Sequence, residues 1–168
     1  MGKTKNLFAT AAVDRIQKIA DDARTCMFCC NLGTRPFDVA PMATQQVEDD
    51  GTVWFFSAKD SDRNAYLATD PAAQLIYSKV GDSEYLSLYG RAEVTYDLAK
   101  VEELWSPMSK VWFQEGPTDP NLSLIRFIPE EGYYWDTQHG KMVAFAKMAA
   151  SIVTGKTMDD GLSGKLEL

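Results

Sequence analysis

The centre of the chain changes from mixed to strongly apolar composition in a way that predicts two paired strands. Residues 41–47 mix apolar and small polar side chains, and residues 52–57 form a β-branched and aromatic run. Between them lies an acidic stretch that ends in Asp50-Gly51, a pair that favours the positive φ angles of a tight turn. The pattern therefore predicts an antiparallel hairpin over residues 41–57.

Four other segments have the spacing or the end signals of helices. Apolar residues over 6–23 recur on one helical face, which predicts an amphipathic first helix. Ser61 can cap a short helix over 61–67, and an aspartate starts another over 97–105. A closing helix is expected over 142–153, followed by a tail over 157–168 that has little to bury.

The remaining apolar segments are typical of strands. Residues 85–96 alternate between two faces, which predicts a long strand with one buried face. Gly90 in its middle predicts a bend or the close approach of another backbone. Shorter strands are expected over 25–32 and 73–77, and residues 122–136 predict either a strand pair or one bent strand.

Short strands joined by hairpins, without a repeated βαβ unit, predict a mainly β fold with flanking helices. An antiparallel barrel, closed or partly open, is favoured over a doubly wound sheet. With 168 residues, of which 45% are apolar, one domain over residues 1–168 is expected, with its N-terminal helix within residues 1–24.

Charge and hydropathy exclude several classes of function. The net charge is −7 and the basic residues are scattered, which argues against a nucleic-acid surface. No stretch is apolar enough to cross a membrane, and the first residues do not resemble a secretion signal. We therefore expect a cytoplasmic protein without a membrane or nucleic-acid partner.

The cysteines and the histidine give weak signals for chemistry. Cys26, Cys29 and Cys30 contain a CxxC spacing, but a second ligand pair for zinc is missing. We therefore interpret them as small buried hydrophobic residues. His139 is the only histidine, and no cluster of serine, histidine and acid can be proposed around it. No metal site is expected.

The loop after the apolar run has the composition of an anion site. Ser57, Lys59, Ser61 and Arg63 place two hydroxyl groups and two cations at a strand end beside a helix start. A phosphate group needs donors from several directions and positive charge, and the backbone N–H groups of a helix start add to both. The alternative is that the two cations belong to a solvated helix start.

Seven phrases in register resemble the general stress protein 26 branch of the pyridoxamine 5′-phosphate oxidase-like family. They are PMATQ, DGTVWFFSAKDSDR, DPAAQLIY, YLSLYGRAEV, ELWSP, WFQEGPTDPNLSLI and YYWD. The resemblance covers nearly the whole chain. It implies a six-stranded antiparallel split β-barrel of Greek-key type, which forms a homodimer and binds FMN in two clefts at the dimer interface.

The resemblance also implies which residues contact the flavin. The ring contacts fall on the consecutive residues Pro41, Met42, Ala43, Thr44 and Gln45. The phosphate contacts fall on Phe56, Ser57, Ser61 and Arg63, in the same loop as Lys59. The partner subunit is expected to contribute Tyr85 and Trp135, with Trp112 as a further neighbour. These three aromatic side chains could instead serve core or dimer packing.

One departure from the family pattern concerns the cofactor phosphate. Ala40 stands where an arginine often precedes the Pro-Met pair in the phosphate-binding branch. One cation is therefore missing unless Arg35 or Lys59 replaces it.

A second departure concerns the substrate. The arginine and histidine that bind the substrate phosphate in the oxidase are absent in that form after Trp135, and only His139 and Lys141 lie nearby. A true pyridoxamine 5′-phosphate oxidase is therefore not expected. The leading hypothesis is a stress-associated FMN-dependent oxidoreductase that acts on an unknown small substrate or acceptor. The alternatives are a non-catalytic flavin-binding or flavin-sensing module, and a family member that holds a deazaflavin or no cofactor.

Overall fold

The computed structural model of the chain describes residues 2–137 and 161–168, together with residues 147, 148 and 151. The strands and helices in chain order are β1 (Lys3–Thr4), β2 (Leu7–Phe8), α1 (Thr10–Ala23), β3 (Thr25–Cys30), β4 (Asp38–Val47), β5 (Val53–Ala58), α2 (Asp62–Thr69), β6 (Ala72–Lys79), β7 (Glu84–Thr95), α3 (Leu98–Leu104), β8 (Leu122–Thr137) and β9 (Gly161–Glu167). Short 3-10 helices lie at Val80–Asp82, Pro107–Val111 and Gly116–Thr118. In this part of the chain, no helix has the length and apolar character needed to cross a bilayer.

Six strands close into an antiparallel barrel, which confirms the predicted mainly β fold. Their order is β3–β4–β5–β8–β7–β6, and β6 pairs again with β3. β8 can close the barrel because its 16 residues pair with β5 near its start and with β7 along most of its length. Residues 122–136 therefore form one strand and not a strand pair.

The barrel interior is filled by the inward faces of the strands. Phe28, Phe55, Leu75, Leu88 and Phe127 are fully buried there. The rings of Phe28 and Phe55 meet edge to face, with their centroids 5.4 Å apart. The buried face predicted for residues 85–96 is confirmed as far as residue 92, where the strand leaves the interior.

Two glycines explain local features of the barrel. Gly51 has a φ of +87° in the turn between β4 and β5, as the hairpin signal predicts. At Gly90, a Cβ atom would lie 2.1 Å from the carbonyl oxygen of Ile128. The register of β7 and β8 also shifts between Tyr89 and Gly90. The predicted close approach of another backbone is therefore confirmed.

The ends of the chain differ from the sequence-based expectation. The first helix begins at Thr10, four residues later than expected, because Leu7–Phe8 pairs with β9. The expectation that the tail has little to bury is wrong: β9 pairs with β8, and its Leu166 is buried. The closing helix predicted over residues 142–153 lies outside the described residues except at 147, 148 and 151.

A second apolar cluster lies outside the barrel, where α3 and the following 3-10 helices cover β5 and the start of β8. Val101, Phe113, Leu122 and Leu124 form its buried centre. Phe56 packs against this cluster. The outward face of β5 is therefore occupied by packing and Phe55 on its inward face by the core, which leaves its edge and its last residues for a functional site.

Candidate functional site

β4 and β5 pair with each other only near their hairpin. The paired residues run from Val47 and Val53 to Thr44 and Phe55. Farther from the turn, the described residues of β4 pair only with β3, and those of β5 only with β8. A cleft therefore opens between the two strands, and its edges carry backbone groups that are available to a ligand. We refer to this opening as the cleft.

The cleft begins at a β-bulge. Thr44 is opposite Phe55 and Gln46 is opposite Trp54, so that Gln45 is the extra residue on β4. Its side-chain amide donates to the carbonyl oxygen of Ala43 at 3.0 Å. A bulge redirects the side chains around it. The stretch Pro41–Gln45, expected to contact the flavin ring, therefore forms one edge of the cleft and its closed end.

Three of the residues predicted for phosphate binding lie together at the other edge. Ser61 caps α2 by accepting a hydrogen bond from the backbone N–H of Asn64 at 3.3 Å. Nη1 of Arg63 donates to Oγ of Ser57 at 3.2 Å, and the Oγ atoms of Ser57 and Ser61 are 3.4 Å apart. We refer to Ser57, Ser61 and Arg63 as the anion pocket.

A buried hydrogen-bond relay through Asn64 and Ser123 fixes the position of Ser57 in the anion pocket. The hydroxyl group of Ser57 donates to Oδ1 of Asn64 at 2.8 Å, and Nδ2 of Asn64 donates to Oγ of Ser123 at 2.9 Å. The hydroxyl group of Ser123 donates back to the carbonyl oxygen of Ser57 at 2.8 Å. Because the only proton of the Ser57 hydroxyl is used in this relay, the free donors of the pocket belong to Ser61 and Arg63.

The sequence reasoning missed Asn64 and Ser123. Asn64 lies three residues before Leu67, and both face inward from α2. A polar residue on the apolar face of a predicted helix was a usable signal, because buried amides need partners. Ser123 gave a weaker signal, as one serine in an apolar run.

Arg63 has unused capacity for an anion. Its side chain is half-buried, and its Nε is buried without an acceptor. Among the described residues, no carboxylate lies within ion-pair distance of the guanidinium group, which lies 6.0 Å from the ring centroid of Phe28. A half-buried cation without a counter-charge is unfavourable unless an anion binds. The first-turn N–H groups of α2 add donors at the same place, so the pocket fits a phosphate group.

Two residues predicted for the phosphate site point elsewhere. Lys59 is exposed, and its Nζ lies 5.0 Å from the ring centroid of Tyr96. The ring of Phe56 packs against Trp105 and Phe113, with centroid distances of 5.9 and 6.2 Å. In this arrangement only the backbone of Phe56 faces the cleft.

The aromatic residues expected from the partner subunit lie on the outer face of the barrel, away from the start of β8 where the anion pocket lies. Tyr85 and Trp135 are opposite each other on β7 and β8, and they are 36% and 44% exposed. Ser123, which pairs with Ser57, lies twelve residues before Trp135 on β8. These two groups therefore lie towards opposite ends of β8, a strand whose register with β7 shifts between Tyr89 and Gly90. Trp112, which follows the Pro107–Val111 turn, is 68% exposed.

A separate cavity of about 550 Å³ lies on the outer sheet face formed by β6 to β9. Tyr89, Glu131, Tyr133 and Lys165 are among its lining residues. None of the residues of the cleft or of the anion pocket lines it. We therefore assign the candidate site by its chemistry, at the cleft, and not by the size of this cavity.

The cysteines behave as the sequence analysis predicts. Cys26, Cys29 and Cys30 are buried and free. Burial raises the pKa of the Cys26 thiol to about 12. Burial, together with the nearby Asp38 carboxylate, raises that of Cys30 to about 12. These thiols are therefore not activated nucleophiles. In the described ranges, no group of three metal-binding side chains is present.

A closed antiparallel barrel with a cleft between two of its strands, and an anion pocket at one edge of that cleft, defines a split-barrel protein. The family model described as pyridoxamine 5′-phosphate oxidase like matches residues 11–159. The chain belongs to this family, as the sequence phrases indicated. Comparison with curated proteins found no match.

Solved structures place the chain near general stress proteins. A structure named as a general stress protein 26, from Jannaschia sp. CCS1, is 29% identical and has a TM-score of 0.75; the match covers 93% of this chain and 95% of that one. The general stress FMN/FAD binding protein of Xanthomonas citri is 28% identical, with a TM-score of 0.65 and coverages of 74% and 87%. The general stress protein 26 of Bacillus anthracis str. Sterne shares the fold at 22% identity, with a TM-score of 0.63 and coverages of 73% and 92%.

Proposed function

We propose that this protein binds FMN and acts as a flavin-dependent oxidoreductase on a small substrate or electron acceptor that is not yet identified. The observation that carries the proposal is the half-buried Arg63, which lacks a counter-charge among the described residues and lies beside the capped start of α2. The relative from Xanthomonas citri, which is described as binding FMN or FAD, supports the choice of a flavin. The cytoplasmic location expected from the sequence is part of this proposal.

The residues of the cleft have separate roles in this proposal. Ser61 and Arg63 hold the phosphate, and Ser57 orients Arg63 by accepting its hydrogen bond. Residues of Pro41–Gln45 would contact the isoalloxazine ring from the edge of the cleft, although the side chain of Met42 is buried in the barrel core. The bound flavin supplies the redox chemistry, and the chain supplies position and electrostatics. No described side chain in the cleft is placed as a general acid or base.

We further propose that two copies of the chain form the complete site. Tyr85 and Trp135 are exposed on the outer face of the barrel, towards the other end of β8 from the anion pocket of their own chain, and we infer that a second copy supplies them to the site. The outer faces of β3, β4, β6, β7 and β8 carry apolar side chains that are 36–46% exposed, namely Met27, Val39, Ile76, Tyr85, Tyr89 and Trp135. A group of exposed apolar side chains on neighbouring strands is typical of an interface.

This apolar face is continuous with the edge of the cleft. Pro41 is opposite Met27 on β3, and Met27 is opposite Ile76 on β6. A partner that covers this face would therefore also close the cleft beside the proposed ring contacts. Flavin binding and dimerisation should then be linked by mass action.

The proposal is tested on the purified protein. Flavin absorption bands in the visible spectrum, with FMN identified by mass spectrometry after release, are expected. Steady turnover with NAD(P)H and an artificial acceptor would distinguish an oxidoreductase from a non-catalytic flavin-binding module. A protein that binds neither FMN nor FAD in a fluorescence titration would contradict the proposal, and binding of a deazaflavin in their place would assign another cofactor.

A further inference from the structure

Lys100, on α3, contacts both strands of the hairpin at the closed end of the cleft. Its Nζ donates to Oε1 of Gln46 at 2.6 Å and to Oε1 of Glu48 at 2.8 Å. The same Nζ lies 5.1 Å from the ring centroid of Trp54 on β5. Only 13% of the lysine side chain is exposed. Such a buried and well-partnered lysine differs from an ordinary surface cation.

The contacted residues are those that flank the bulge. Gln46 and Trp54 form the first pair on the turn side of Gln45. On the other side of the bulge, Oγ1 of Thr44 is hydrogen-bonded to the Tyr77 hydroxyl at 2.7 Å, inside the barrel. Gln45 is therefore held between two fixed residues, of which one depends on the core and the other on Lys100.

Charge strengthens the hold of Lys100 on the hairpin. Glu103, one turn along α3, accepts from Lys100 at 3.2 Å and from Nε2 of Gln46 at 3.1 Å. Burial lowers the pKa of Lys100, but its hydrogen bonds to Glu48 and Glu103 raise it by more, and the net effect is an increase. The lysine is therefore charged at neutral pH, and its bonds to β4 are charge-assisted.

We propose that Lys100 is a positioning residue for the flavin ring: by joining Gln46 and Glu48 to α3, it fixes the bulge and the width of the cleft at its closed end. This inference rests on the proposed function, because it concerns the residues expected to contact the ring. Lys100 lies on the outer side of β4 and β5 and does not contact the anion pocket among the described residues. We therefore expect Lys100 to affect the binding contribution of the flavin ring and not that of the phosphate.

The test compares two ligands that share the ring and differ in the phosphate. FMN and riboflavin are titrated into wild type, Lys100→Met and Lys100→Arg, and the visible absorption and circular dichroism of the bound flavin are recorded. We expect Lys100→Met to weaken both ligands by the same factor, about tenfold, because a charge-assisted bond that orders the bulge is lost. The bound-flavin spectrum should change, and Lys100→Arg should restore most of the affinity and the spectrum.

Two further variants separate positioning from general effects. Arg126→Met removes a cation from the position opposite Trp54 on β8, where the nearest carboxylate is 4.0 Å away, and it should leave both affinities unchanged. Gln46→Leu removes the amide that accepts from Lys100 and donates to Glu103, but leaves the bond from Lys100 to Glu48, and it should reproduce most of the effect of Lys100→Met. It also provides the test if Lys100→Met does not fold, which thermal unfolding of the flavin-free protein would reveal.

The possible outcomes separate this inference from the proposed function. If the wild type binds no flavin, the proposed function fails, and the inference fails with it. If the wild type binds and the folded Lys100→Met, or Gln46→Leu in its place, has unchanged affinities and an unchanged spectrum, only the inference is overturned. Weaker binding of FMN alone would show a long-range charge effect on the phosphate, and that also overturns it.

Discussion

Replacing Arg63 by alanine should lower flavin affinity without lowering the stability of the flavin-free protein. Among the described residues, the guanidinium group makes one hydrogen bond, to the neutral Ser57, and its Nε is buried without an acceptor. Removing the side chain therefore loses one weak hydrogen bond, which is destabilising, and removes the cost of a partly desolvated charge, which is stabilising. The two effects oppose each other, so the free energy of unfolding of the flavin-free protein should change by less than about 1 kcal/mol.

The loss of affinity follows from the charge-assisted contact with the phosphate. Such a contact is commonly worth about 1.5–3 kcal/mol, which corresponds to roughly a tenfold to 150-fold increase in Kd for FMN. Riboflavin lacks the phosphate and should bind the wild type and Arg63→Ala equally well. At an FMN concentration of about 100 times the wild-type Kd, bound flavin stabilises the wild type by about 2.7 kcal/mol. A variant with a fiftyfold higher Kd would gain only about 0.6 kcal/mol at that concentration.

Flavin fluorescence titrations and urea unfolding, each with and without FMN, measure these quantities. Lys59→Ala is the matched control, because Lys59 lies in the same loop but is exposed and faces Tyr96. It should leave the Kd for FMN nearly unchanged. Equal FMN affinity in wild type and Arg63→Ala would remove Arg63 from the site. An equal loss for riboflavin would show that the variant disturbs the ring contacts and not the phosphate contact.

Three other predictions concern assembly, specificity and the barrel. Light scattering should give a dimer for the wild type and for the control Val80→Glu, because Val80 lies on an exposed turn, whereas Ile76→Glu places a charge in the proposed interface and should give a monomer with weakened FMN binding. A wild-type monomer that holds FMN would refute the dimer. The FMN-loaded protein under air should convert pyridoxamine 5′-phosphate to pyridoxal phosphate only at background level, because no arginine follows Trp135 to bind a second phosphate. Efficient turnover would show a substrate pocket that we have not identified. Gly90→Ala should lower the free energy of unfolding by about 1–3 kcal/mol, because the added Cβ would collide with the Ile128 carbonyl. The control Gly33→Ala, where the added Cβ has open space around it, should have little effect, and equal unfolding curves for the two variants would contradict the close contact.

Local signals in the sequence determined most of the elements. The Asp50-Gly51 pair predicted the hairpin turn, Ser61 predicted the start of α2, and Asp97 predicted the start of α3, which it caps through the N–H groups of residues 99 and 100. These signals are readable because a turn or a cap is made by residues within a few positions of each other. The resemblance carried by the sequence phrases added the family and the barrel, which the fold confirms.

The tertiary structure decided which distant residues meet. The two-residue period of a strand shows which face is buried but not which strand lies beside it, so the pairing of β9 with β8 could not be read from the tail. For the same reason, the relay from Ser57 through Asn64 to Ser123 and the contact of Lys100 with Gln46 were not predictable. Each joins segments that are separate in sequence, and their geometry exists only after the barrel has closed.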